Sequence, residues 1–242
     1  MPQRIAYLTD LHLDDKYSKM SNTDTFGHLE SVLKDLATKQ VDKLILGGDL
    51  GEPHTKAYLF ERISGFEEVH ITLGNHDEFA DILPYYDRAQ QLEAQATLYY
   101  SFVEEGYKYI FLDSSSGRLP SEQVTWLQQE LHSSYPILLF MHHPVFGIEE
   151  RCLVDDMFPL LEREALQQLL LDSGADITLF CGHYHIPHQQ TQGKIQQIIT
   201  NAVSFQFDMQ AEELSFHANH FGYRMIEVSA TGVQSELLSF SL

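Results

Sequence analysis

Five short apolar runs in this chain stop on carboxylate, amide or imidazole side chains instead of ordinary turn residues. RIAYLT (4–9) leads into Asp10-Leu11-His12, and KLILG (43–47) into Gly48-Asp49. VHITL (69–73) leads into Gly74-Asn75-His76-Asp77, ILLFM (137–141) into His142-His143, and ITLFC (177–181) into Gly182-His183-Tyr184-His185. Runs of this length and composition predict strands. In an open α/β sheet, ligands bind just beyond the carboxyl ends of strands, so five loops would deliver these groups to one edge.

The segments between the runs support such a sheet. From Thr25 to Lys39, Phe26, Leu29, Val32, Leu33 and Leu36 recur at three-and-four spacing, with Asp24 placed to cap the helix. Residues 55–64, 121–132 and 159–172 read the same way, and further strands are expected at 108–113, 195–200 and 223–228. Alternation of strands and helices is the βαβ signature, so the fold class is α/β. From about residue 195 no long helix separates the strands, which predicts an antiparallel second sheet there and a sandwich with helices outside. Residues 1–242 carry no linker-like stretch and are expected to form a single domain.

Charge narrows the function classes. Thirty-five acidic residues against 15 basic ones give a formal charge of −20, which repels the backbone of any long nucleic acid and an anionic membrane surface. A small phosphate ester is not excluded, because bound cations would dominate the field in a cleft. No apolar run approaches the roughly 20 residues of a membrane helix, and the N-terminus lacks a signal-peptide pattern, so a cytoplasmic location is expected. Cys152 and Cys181 are accordingly expected to be unbridged.

The donors themselves point to metal chemistry. A strand residue and the one two positions later share a face, so Asp10 with His12, and His183 with His185, are each expected to present two donors to one small volume. Gly48, Gly74 and Gly182 would let the backbone approach closely. Asp10, His12, Asp49, Asn75, His142, His183 and His185 are too many for one tetrahedral zinc but suit two divalent ions with mixed oxygen and nitrogen ligands, manganese, iron or zinc. Asp49 is the natural bridging carboxylate, since two oxygens can serve two ions about 3.5–4 Å apart.

The ordered blocks Asp-x-His, Gly-Asp, Gly-Asn-His-Asp, a strand-end His and Gly-His-x-His resemble the calcineurin-like metallophosphoesterase superfamily. MHHP (141–144), CGHYH (181–185) and LPSEQVTWLQQEL (119–131) are similar to bacterial class III cyclic-nucleotide and glycerophosphodiester phosphodiesterases. The resemblance implies a four-layer sandwich of two mixed β-sheets flanked by helices. It also implies a dinuclear hydrolase that cuts phosphate esters with a water activated between the ions. Asp10, His12, Asp49 and His185 would hold one ion, and Asp49, Asn75, His142 and His183 the other. His76 matches the family's catalytic histidine, joining Asp49 as a catalytic residue. His142 is preferred over His143 as the ligand because the family's histidine directly follows the strand, which leaves His143 a place behind the ligands or beside substrate. Glu52 stands where many relatives have aspartate.

Other histidines invite plainer readings. His28, His70, His132, His188, His217 and His220 are expected at the surface or at caps. His54 follows the Gly-Asp loop and is a candidate substrate contact. Phosphodiester hydrolysis is the leading expectation, with a phosphomonoesterase or a non-enzymatic scaffold as alternatives. The expected partner is a small phosphoester, discrimination would lie in loops 147–158 and 201–221, and self-association is left open.

Overall fold

The computed structural model describes residues 2–148, 152–208 and 211–241. Residues 149–151 and 209–210 of the two discriminating loops, and the terminal Met1 and Leu242, lie outside them. Three strands, β1 (Gln3–Leu8), β2 (Lys43–Leu46) and β3 (Val69–Ile71), run parallel as neighbours. A second sheet is built from β4 (Tyr100–Glu104), β5 (Tyr107–Phe111), β6 (Ile137–Phe140), β7 (Ile177–Cys181), β8 (His188–Gln192) and β9 (Ile195–Ile199), in the order β4-β5-β6-β7-β9-β8. A two-stranded hairpin follows, β10 (Gln206–Phe207) with β11 (Phe216–His217). The chain then returns to the first sheet as β12 (His220–Ser229) and β13 (Gly232–Ser241), giving the order β13-β12-β1-β2-β3.

The late strands therefore do not form a sheet of their own. β9 lies parallel to β7, while β12 pairs antiparallel to β1. Among the described residues no helix follows residue 195, because the chain there forms hairpins at two different sheet edges, and each edge already had a strand waiting for partners.

Among the described residues eight α-helices flank the two sheets: α1 (Lys16–Met20), α2 (Thr25–Leu36), α3 (Lys56–Ile63), α4 (Phe79–Ile82), α5 (Asp87–Gln91), α6 (Ser121–Glu130), α7 (Leu153–Met157) and α8 (Arg163–Ser173). In α2 the buried residues Leu29, Val32, Leu33 and Leu36 follow the expected period, and Asp24 accepts the Gly27 N–H at 2.9 Å. α8 begins four residues later than its apolar pattern, because Glu162 adopts φ 60°, a left-handed conformation that a right-handed helix cannot contain.

Alternation along the second sheet explains the layering. Tyr109, Phe111, Leu138, Phe140 and Phe180 join the core shared with the first sheet, whereas Ile110, Leu139, Ile177 and Leu179 pack with Leu127 of α6 and with Leu166 and Leu170 of α8. Between the sheets the rings form a run, with Phe111–Phe140 centroids 5.0 Å apart, Phe140–Phe180 5.3 Å and Tyr7–Phe140 5.8 Å. Cys152 and Cys181 are both buried and free. Among the described residues no helix is long and apolar enough to cross a membrane.

Two histidines expected at the surface are in fact buried. His28 stacks on Phe221 at 3.8 Å and bonds the Ser204 carbonyl through Nδ1 at 2.8 Å. His70 lies against Phe102 and Phe111, and burial pushes its pKa down to about 4 although Glu68, 2.7 Å away, pulls the other way. Below about 6.5 the unfolded chain takes a proton that folded His70 refuses until about 4, so stability should be lost as pH falls through that window. The loss from this residue should reach about 2–3 kcal/mol by pH 4.5. Urea midpoints at pH 7 and pH 4.5 check this. His70→Phe, which cannot protonate, should lose less, and equal losses in the two proteins would refute the assignment.

Candidate metal centre

β1 ends at Leu8 and β7 at Cys181, both before the donors that follow them. The donors then sit on backbone in the left-handed region: φ is 55° at Asp10, 45° at His12, 52° at Asp49, 69° at His183 and 51° at His185. Simple strand alternation is thus not what pairs Asp10 with His12 or His183 with His185. A succession of strained turns does so, at a cost on the order of 1–3 kcal/mol per residue.

Backbone hydrogen bonds between the loops hold these turns. Asp10 N–H donates to Gly48 O and His12 N–H to Asp49 O, each at 2.9 Å, and Gly182 N–H donates to His142 O at 3.0 Å. The loops approach so closely that two positions accept only glycine. Gly48 has φ 95°, and a Cβ there would lie 2.7 Å from His142 Nδ1. A Cβ on Gly182 would collide with the Thr9 hydroxyl and the Asp10 carboxylate.

Two sets of side chains converge in consequence. Asp10, His12 and His185 form one, and Asp10, Asp49 and His142 the other, with the ligand atoms of each set all within 4.8 Å of one another and every residue buried. Asp10 Oδ1 is 3.1 Å from His185 Nε2 and 3.8 Å from His142 Nε2. Asp49 Oδ2 lies between the sets, 3.5 Å from His12 Nε2 and 3.2 Å from His142 Nε2. Asp10 is common to both sets, and Asp49, the carboxylate expected to bridge, comes within 3.5 Å of a histidine of each. His183 stands beside the second set, its ring centroid 5.2 Å from that of His142, and Asn75 lines the same cleft.

The far ring nitrogens show which face of each imidazole is free. His12 Nδ1 is held by Asp15 at 2.6 Å, His142 Nδ1 by the Gly47 carbonyl at 2.9 Å and His185 Nδ1 by the Phe205 carbonyl at 2.7 Å. A nitrogen that donates to a carbonyl or carboxylate leaves the other as a lone-pair donor, the arrangement typical of metal-ligating histidine. His183 is reversed: Nε2 donates to the Phe158 carbonyl at 3.0 Å, which leaves Nδ1. His142 Nε2 and Asn75 Oδ1 are buried without a hydrogen-bond partner. Such orphaned atoms in a ring of oxygen and nitrogen donors fit divalent cations, so the residues suit a dinuclear centre.

Electrostatics agrees. Burial works against ionising Asp10, but His185 and His142 outweigh it and hold the carboxyl at about 2. Burial opposes ionisation of Asp49 too, and His142 again prevails, keeping it well below the usual carboxylate range. His142 would be lowered by burial alone, yet Asp49 and Asp10 raise it to about 10. His183 is pushed down to about 3 by burial and then by His142. Two buried carboxylates thus favour positive charge beside His142, and a divalent ion bound there would compete with a proton for its Nε2.

His76 belongs to neither set. Its backbone N–H donates to Asp49 Oδ1 at 2.8 Å, and its ring lies at the cleft between Tyr17 and Phe158, at centroid distances of 5.4 and 6.3 Å. Burial lowers its pKa, so the ring is mainly neutral at pH 7. Tyr17, Val154, Phe158, Phe207 and Leu214 form an apolar rim above the donors. His143 is buried behind the site, bonded through Nδ1 to the Ser114 hydroxyl at 2.8 Å. His54 points away, its imidazole 65% exposed and paired with Asp14 at 2.8 Å.

Sequence reasoning missed Asp15, which orients His12, and Lys56, whose ammonium forms a fully buried pair with Asp77 at 2.9 Å. Asp77 also accepts from Leu50 N–H at 3.0 Å and Gly74 N–H at 3.1 Å, tying the Gly-Asp loop to the Gly-Asn-His-Asp loop. Asp15 could have been found from its place three residues after His12. Nothing local marks Lys56.

Residues 3–187 match the family described as calcineurin-like phosphoesterase. A probable cyclic nucleotide phosphodiesterase of Pseudoalteromonas sp. (strain SM9913) is 30% identical over 94% of this chain and 88% of its own length. Another, from Fibrobacter succinogenes, is 28% identical over 75% of this chain and 72% of its own. A dimetal phosphatase from Danio rerio has the same fold, with a TM-score of 0.71 at 14% identity, covering 100% of this chain and 99% of the other. GAP50, the anchor in the inner membrane complex of Plasmodium, matches with a TM-score of 0.59 at 17% identity over 98% of this chain and 84% of the other, so the fold also serves a protein named for anchoring. A shared fold does not establish chemistry. Here the family match spans all five donor blocks, and the two Asp/His sets support a metal-dependent hydrolase active site. On those grounds, this chain belongs to the calcineurin-like phosphoesterase family.

Proposed function

We propose that this chain is a phosphodiesterase acting on small phosphodiesters of the cyclic-nucleotide class, with glycerophosphodiesters as the neighbouring substrate group. The observation that carries the reading is likeness over 94% of the chain to a probable cyclic nucleotide phosphodiesterase, combined with two converging Asp/His donor sets. Two features support it. The apolar rim of Tyr17, Phe158 and Phe207 suits a planar, partly apolar group beside the phosphate, and the formal charge of −20 disfavours a long polyanion. Free, buried Cys152 and Cys181 suit a reducing compartment and hence a cytoplasmic enzyme.

Two divalent ions, one on Asp10, His12, Asp49 and His185 and one on Asp49, Asn75, His142 and His183, would supply Lewis acidity toward the phosphoryl oxygens and a nucleophilic water at neutral pH. The chain's own residues do the rest. Asp15 and the Gly47, Phe205 and Phe158 carbonyls orient the four imidazoles. The rim restricts water at the mouth of the cleft. His76 hydrogen-bonds the leaving oxygen through a ring N–H and, from its protonated form, transfers that proton as the ester bond opens, which leaves the imidazole neutral.

Hydrolysis of bis(p-nitrophenyl) phosphate with manganese, followed by a panel of 3′,5′-cyclic AMP, a glycerophosphodiester and p-nitrophenyl phosphate, tests the reading. Diesters should exceed the monoester in kcat/KM by about tenfold or more, worth about 1.4 kcal/mol. Preference for the monoester would point to a phosphomonoesterase, and no hydrolysis of any ester would leave the scaffold alternative.

A further inference from the structure

Three of the four site imidazoles are anchored within the sandwich or its strand-end loops, by Asp15, Gly47 and Phe205. His183 is anchored from α7, because its Nε2 donates to the carbonyl of Phe158, the residue that closes that helix. α7 has only five residues and no side-chain cap, and so short a helix does not hold itself in water. What holds it is Arg163, at the start of α8. The guanidinium forks onto Asp155 of α7, with Nη1 2.6 Å from Oδ2 and Nη2 bonded to Oδ1, and Nη2 also reaches the hydroxyl of Tyr184 at 3.4 Å. Tyr184 is fully buried and lies between His183 and His185 in the chain. One planar cation therefore ties α7 to the loop that carries two of the site histidines.

Resting on the dinuclear reading above, we propose that Arg163 is a positioning residue. Through Asp155 it clamps α7 where the Phe158 carbonyl fixes the His183 tautomer and ring, so that Nδ1 faces the ion held with His142 and Asn75. The inference is specific to one of the two ions. The Asp10, His12 and His185 set takes its imidazole anchors from Asp15 and Phe205, not from α7, and should not depend on the clamp.

The test is manganese binding to the full-length protein, followed by titration calorimetry and by the electron paramagnetic resonance of the coupled pair, in wild type, Arg163→Met, Asp155→Asn, the double variant and Arg163→Lys. Wild type should bind two ions. Arg163→Met and Asp155→Asn should each weaken one of them by about 10–100-fold, leave the other unchanged and turn the coupled signal into that of an isolated ion. The double variant should be no worse than either single one, since both break one clamp. Arg163→Lys, which keeps the charge without the fork, should recover part of the affinity. Asp155→Asn, nearly isosteric, decides the matter if Arg163→Met does not fold. Folded variants that bind both ions as wild type does, or that weaken both equally, overturn the clamp. A wild-type chain that takes up no manganese overturns the dinuclear reading and the clamp with it.

Discussion

Replacing Asp49 with alanine is expected to strip the protein of bound metal and to reduce phosphodiester hydrolysis to background. The Asp49 carboxylate lies between the two donor sets, 3.5 Å from His12 Nε2 and 3.2 Å from His142 Nε2, and its other oxygen accepts the His76 N–H at 2.8 Å. Three elements therefore lose a partner at once. Without this carboxylate His142 also loses the strongest influence that raises its pKa, and Asp10 alone must balance the site. Turnover should fall by more than about 10³-fold, beyond the loss usual for a single preorganised transition-state donor. Metal content per chain and the initial rate of bis(p-nitrophenyl) phosphate hydrolysis are the measurements. Wild-type metal content or full activity in this variant would remove Asp49 from the centre of the mechanism.

The second large effect separates binding from chemistry. His76→Ala should keep both ions and lower turnover by about 10²–10⁴-fold, the range for loss of a general acid. Metal retention follows from the geometry, because the hydrogen bond that holds Asp49 comes from the backbone N–H of residue 76, which alanine still provides. The ring is in neither donor set and faces the cleft between Tyr17 and Phe158. Metal loss in this variant would make His76 a ligand, and unchanged turnover would leave the proton to another group.

The two substitutions share one loop junction yet predict opposite outcomes for metal content, which makes the pair more informative than either alone. Metal loss in a folded His76→Ala chain would make His76 a ligand, whereas if both lost metal because neither folded, the Gly-Asn-His-Asp turn would be a structural unit that fails as a whole. The buried Lys56–Asp77 pair is the contact to suspect in that case, since breaking it would leave an uncompensated charge beneath both loops.

The donor blocks and their order were legible in the sequence, because strand composition and the polar residues that stop it are local properties. The helix period in α2 and its Asp24 cap are local in the same sense. The expected delivery of the donors to one edge of a single sheet was not met: β1, β2 and β3 of the first sheet and β6 and β7 of the second supply them. Other features depended on contacts between residues far apart in the chain. β9 joined the second sheet and β12 the first, a division that edge pairing decided and that no periodicity records. His28 and His70 read as surface residues because nothing near them in sequence shows the Ser204 carbonyl and the Phe221 ring that meet His28, or the Phe102 and Phe111 rings that lie against His70. His54, two residues beyond a loop rich in function, turned to Asp14 and away from the cleft.

What the sequence by itself determined is the chemical inventory: seven oxygen and nitrogen donors, with a non-ligand histidine, at the ends of predicted strands. What only the tertiary structure decided is how those donors are aimed. Left-handed backbone at Asp10, His12, Asp49, His183 and His185 replaces the strand alternation that the spacing suggested. The free nitrogen of each imidazole is chosen by a partner that includes the carbonyls of Gly47, Phe158 and Phe205. Every residue carries a backbone carbonyl, so its identity in the sequence cannot announce that role. Only folding determines which carbonyls come within 3 Å of an imidazole.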